Sequence, residues 1–180
     1  QAPDEGTGTD AITVAASIEA FSEGDFSSSN NATTLELATG RSAAAGSDGG
    51  RLRLTSTGGL ELKNLNTADD SFPTLTLQTG DTDIAANDIL GSINFQAPDE
   101  GTGTDAILVA ASIKALSEGN FSSSNNATSL QFFTGASETA TAKMVLTSGG
   151  DLKVKTDGAK ISFGSDNDIE LLHVADQGVT

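Results

Sequence analysis

The sequence predicts an all-β chain, an elongated repeat architecture of short antiparallel strands and hairpins. Three observations predict it. The chain duplicates itself: residues 1–40 and 96–135 agree at 32 of 40 positions, at an offset of 95. Apolar residues recur with a period of two, the spacing that puts one side of a strand against a core. Glycine-rich turns separate the apolar runs at short intervals. A near-copy of this kind is uncommon where each segment carries its own chemistry. It is frequent where one supersecondary unit is stacked to build length.

The first run places Ile12, Val14, Ala16, Ile18 and Ala20 on one face, and its copy does the same with Ile107, Val109, Ala111, Ile113 and Ala115. A helix capped by Thr9 or Asp10 is the competing reading of TDAITVAASIEAF, since Ala is plentiful. Strand is preferred, because β-branched residues occupy alternate positions. Further strands are expected at Thr33–Leu37, Arg51–Thr55, Leu60–Lys63, Thr74–Gln78 and Ile89–Phe95. Their successors are Ser129–Phe133, Lys143–Thr147, Leu152–Lys155, Lys160–Phe163 and Asp168–Val174. Ser56-Thr57-Gly58-Gly59, Ser148-Gly149-Gly150-Asp151 and Thr156-Asp157-Gly158 supply turns in which glycine accepts a positive φ. Residues 1–95 form the first repeat and 96–180 the second. Gln1 falls inside the repeat, so the chain is expected to be a segment of a longer protein.

Composition narrows the function. Aromatics are 4% of the chain, with no Trp, Tyr or Cys, so a dense single-chain core is not expected. A strand rich in Ala and β-branched residues buries one thin face. That is too little to offset ordering costs of roughly 1–2 kcal/mol per residue unless several chains share the burial. The net charge of −16 argues against nucleic acid or an anionic membrane as a partner, because phosphate binding draws on Lys and Arg. It favours solubility and separation of assembled particles. No run approaches the roughly 20 apolar residues of a membrane helix, so no membrane insertion is expected.

The segments NDILGSINFQAPDEGTGTDAILVAASIKA, TSLQFFTGASETATAKMVLTSGGDLKV and ISFGSDNDIELLHVADQGV resemble the shaft regions of bacteriophage tail fibres, those of marine phages in particular. The shared pattern is an LGxIxF strand, a loop, an alternating Ala-rich strand, an xLxFxT strand, and a basic-apolar strand before a Gly turn. It covers nearly the whole chain. The resemblance implies an intertwined homotrimer on a virion, outside the cell, that spaces and presents a host-recognition tip. Contact with a cell-surface glycan or receptor would then fall to regions outside this segment; no receptor-binding tip or autoproteolytic chaperone domain is recognisable. The alternative is a repeat region of a bacterial cell-surface adhesin or filament subunit, calcium-dependent through its acidic turns.

Candidate sites are few. Asn31, Asn120 and Asn126 begin N-x-S/T sequons and are candidates for glycosylation, against the simpler reading of polar turns. Asp81, Asp83 and Asp88, and Asp166 with Asp168, are the weak candidates for calcium, which takes six to eight oxygen ligands; neither group has EF-hand spacing. Solvated turns are the preferred reading, so no metal or other cofactor is expected. His173 is the only histidine, so a zinc site within one chain is not expected. No serine lies in a G-x-S-x-G setting, and the absence of Trp and Tyr argues against a glycan-cleaving groove. The chain is therefore expected not to be an enzyme. Phe26 and Phe121, in the Ser-rich loops, are expected to pin those loops down.

Overall fold

The computed structural model describes residues 14–40, 49–97, 105–174 and 178–179. Ile12 and most of both QAPDEGTGTD loops lie outside the described residues. Among those residues the protein is all-β: strands form three antiparallel sheets, none closed. No helix is long and apolar enough to cross a membrane among the described residues. The chain divides into two units, Gln1–Leu75 and Thr76–Thr180.

The first unit is a four-stranded meander: β1 (Ala16–Ser22), β2 (Thr33–Thr39), β3 (Gly50–Leu54) and β4 (Leu60–Asn64). Pairing runs Ile18↔Leu37↔Leu52↔Leu62 in one row and Ala20↔Leu35↔Leu54↔Leu60 in the next. Because side chains alternate across a strand, these eight residues share one face. The opposite face carries Glu19↔Glu36↔Arg53↔Glu61 and Ser17↔Ala38↔Arg51↔Lys63.

The second unit repeats that meander with one strand added in front. β5 (Ile89–Phe95) pairs with β6 (Ala111–Ser117), followed by β7 (Thr128–Thr134), β8 (Thr141–Leu146) and β9 (Leu152–Val154). β6 and β7 sit 95 residues after β1 and β2; Leu54 and Leu146, the partners of Leu35 and Leu130, are 92 apart. The shift absorbs three residues fewer between the second and third strands. One face carries Ile93↔Ile113↔Phe132↔Met144↔Val154. A last sheet joins β10 (Lys160–Phe163), β11 (Ile169–Val174) and β12 (Gly178–Val179).

Turn chemistry fixes both central hairpins. Gly58 and Gly150 adopt φ of 83° and 89°, which a Cβ would strain. The loops close with matching bonds: Gly58 N–H donates to Thr55 O at 3.0 Å and Gly150 N–H to Thr147 O at 3.0 Å. Gly158 (φ 74°) turns the chain between β9 and β10.

Two expectations need correction. Thr74–Gln78 forms no strand. The run alternates, but no neighbour offers it a ladder; instead Leu77 lies on β5, where a Cβ built on Gly91 would come within 2.9 Å of the Leu77 Cβ. The alternating run of the second repeat also starts late. Asp105–Ile107 forms a 3-10 turn and the strand begins at Ala111, so Ile107 and Val109 precede it. Val14 likewise precedes β1.

Candidate functional surface: the open apolar faces

The leucine face of the first sheet is uncovered. Ile18 is 74% exposed and Leu60 72%, and Leu35, Leu37, Leu52, Leu54 and Leu62 are all exposed with them. In the second unit Ile93, Leu130, Leu146, Leu152 and Val154 are exposed on the corresponding face. In the third sheet the rows Ile161↔Leu171 and Phe163↔Ile169 are exposed as well. Among the described residues only Ala38 and Val145 are buried apolar side chains. Soluble monomers rarely leave contiguous apolar patches of this extent open.

The buried side chains of the first sheet lie on its opposite face, at Thr34, Glu36 and Ala38 of β2. In the first sheet Glu36, 8% exposed, lies between two arginines. Its Oε2 is 2.5 Å from Arg53 Nε and 3.6 Å from Arg51 Nε, and Arg51 Nη2 reaches Glu61 at 3.7 Å. The second sheet replaces this cluster. Gln131 takes the place of Glu36, Lys143 and Val145 those of Arg51 and Arg53, and Val145 is buried. Lys114, where the first repeat has Glu19, sets its Nζ 4.6 Å from the centre of the Phe133 ring.

The Ser-rich loops are locked by their own polar side chains. Asn30 Nδ2 donates to Asp25 O at 2.9 Å, and its Oδ1 accepts from Ala32 N–H at 3.2 Å. Asn125 repeats both bonds, to Asn120 O at 2.7 Å and from Ala127 N–H at 3.2 Å. A glutamate then ties each loop to the central hairpin turn. Glu23 accepts from Ser56 N–H at 3.0 Å, Ser56 Oγ at 2.5 Å and Thr34 Oγ1 at 2.6 Å. Glu118 accepts from Ser148 N–H at 3.2 Å and from the Ser148 hydroxyl. The Ser56 N–H first, then the two hydroxyls, hold the Glu23 carboxyl down to about 2 from 4.5, and Arg53 adds to this against the opposing effect of desolvation. Sequence reading missed these glutamate clamps. The signal was present, because S-E-G and T-S recur in both repeats, but at different offsets.

No known family, curated protein sequence or solved structure matches the chain.

The candidate site residues do not gather into one site. Asp81 Oδ1 accepts from Asp83 N–H at 2.9 Å, and Asp88 Oδ2 from Ala85 N–H at 2.7 Å, so these carboxylates serve their own turns. Asp166 and Asp168 both lie over Gly164. Among the described residues no three acidic or histidine side chains gather as a metal site would need. His173 Nδ1 is 3.7 Å from Asp157, both exposed. Asn31 and Asn126 are exposed, and each has its carbonyl bonded by the sequon threonine two residues on, at 2.9 Å in both repeats. Asn120 accepts from Ala86 N–H at 3.3 Å. Phe26 is exposed, whereas Phe121 is half-buried and its N–H donates to Ile84 O at 2.9 Å. A hollow of about 420 Å³ is lined at one end of the first sheet by Leu62, Lys63, Asn64, Phe72 and Pro73 among others.

Proposed function

We propose that this chain is a shaft segment of a viral tail fibre, in which three copies pack their open apolar faces around a common axis. The observation that carries the reading is the uncovered face shared by Ile18, Leu35, Leu37, Leu52, Leu54, Leu60 and Leu62. Full burial of a Leu or Ile side chain is worth roughly 1.5–3 kcal/mol, and an assembly recovers the share that each of these leaves exposed. The short strands and tight hairpins suit a unit that is stacked for length. The charge of −16 keeps neighbouring fibres apart in solution. On this reading the role is mechanical: spacing, stiffness and presentation of a tip that contacts the host cell outside this segment. It assigns the chain no reaction and no cofactor.

Electron microscopy of the purified chain, with small-angle scattering for mass per length, tests the reading. A slender rod holding three chains per cross-section is the expected result. A compact particle of one chain would overturn it.

A further inference from the structure

The outer edge of β1 offers a second surface, distinct from the apolar faces. β1 ends its sheet, and no strand pairs with that edge among the described residues. β6 presents nearly the same residues, ASIKALS against ASIEAFS, and its edge is occupied. β5 lies antiparallel along it, with Ile93 opposite Ile113, Asn94 opposite Ser112 and Phe95 opposite Ala111. A bulge between Ile89 and Gly91 then turns the chain over the end of β6. There Asp88 N–H donates to Ser117 Oγ at 3.0 Å, the Ser117 hydroxyl donates to Ala85 O, and Ser117 N–H donates to Asp88 O at 3.0 Å.

Each receiving group has its counterpart in the first repeat. Ser22 stands for Ser117, Ile18 for Ile113, Ser17 for Ser112, Ala16 for Ala111 and Phe26 for Phe121. Asn120, whose Oδ1 accepts from Ala86 N–H, becomes Asp25, which keeps an acceptor oxygen. The environments differ sharply: Ser117 is 2% exposed, whereas Ser22, Ile18 and Phe26 are exposed.

We infer that the β1 edge is a docking site for an extended strand with the chemistry of residues 84–95. Such a strand has apolar residues at the positions of Ile89, Ile93 and Phe95, a glycine at that of Gly91, and a short turn ending in Asp at that of Asp88. It adds to β1 antiparallel and caps Ser22 with its turn. Backbone bonds supply the affinity, and the alternate side chains supply the selection. The inference does not depend on how many chains assemble.

The test uses the full chain and a synthetic peptide of residues 72–95, with hydrogen–deuterium exchange read separately over β1, β4 and β6. The peptide is expected to slow exchange across residues 16–22 saturably, one per chain, and to leave β4 unchanged. A peptide carrying Ile93→Asp should have no effect. Ser22→Val, at an exposed position, should leave circular dichroism unchanged and weaken peptide binding roughly tenfold, because the buried turn loses its hydroxyl partner. No slowing over β1, or equal slowing by the Ile93→Asp peptide, would overturn the proposal. So would protection that rises with chain concentration alone over β1 and not over β4, since the edge would then belong to a second copy.

Discussion

β1 and β6 share five of seven residues, yet one is an open edge and the other an inner strand. Ser22 and Ser117 are the same residue in the same register, and only the second is buried. The difference comes from β5 and the turn before it, which cover one strand and not the other. Burial in this protein is therefore set by which segment lies alongside, more than by the strand's own sequence. The polar faces teach a complementary lesson. Where the first sheet holds Glu36 between Arg51 and Arg53, the second holds Gln131, Lys143 and buried Val145. A buried ion cluster and a largely uncharged one serve the same position, as expected when desolvation offsets most of the Coulomb gain.

The largest effect should come from breaking that cluster on one side. Arg53→Ala leaves Glu36 with the more distant Arg51 and should cost about 2 kcal/mol in the first sheet, read by denaturant unfolding. Glu36→Gln combined with Arg53→Val, which copies the second sheet, should recover most of it. A neutral Arg53→Ala would mean that the carboxylate is solvated. Next is Val145→Ala, which removes buried methyl groups and should cost about 1.5 kcal/mol, with the loss confined to the second unit's exchange. Gly58→Ala and Gly150→Ala should each cost about 1 kcal/mol, and by similar amounts, because both turns need a positive φ. Unequal losses would show that the two hairpins are not equivalent.

The smallest effect is local and pH-dependent. Glu23 is held ionised by its Ser56 and Thr34 partners, so its contribution is complete above pH 4.5 and is lost as pH falls towards about 2. Side-chain carbon shifts of Glu23 in an acid titration of the folded chain should move with a midpoint near 2, together with the Ser56 amide. A midpoint near 4.5 would remove the clamp from the account.

Much of this fold was legible. The strands from Thr33 to Lys63 and from Ser129 to Val174 follow the alternation to within two residues at each end, because a half-buried strand imposes a period of two. The turns at Gly58, Gly150 and Gly158 were equally plain, since few other residues tolerate that φ. Thr74–Gln78 shows the limit: alternation reports extended backbone and not the presence of a partner. The Glu36 cluster was hidden because its members are 15 and 17 residues apart and meet only once register is known. The clamps Glu23–Ser56 and Glu118–Ser148 were hidden for the same reason. The openness of the leucine face was foreshadowed by the scarcity of aromatics; its extent was not, because that depends on what covers each sheet.

The central claim is that the open leucine faces are the interior of an assembly. Light scattering of the full chain, repeated with a chelator, tests it most directly. The account expects three times the 18.1 kDa chain mass, unchanged by the chelator and reduced towards one chain by Leu52→Glu. A single 18.1 kDa species at every concentration, with its sheet signal intact, would contradict it.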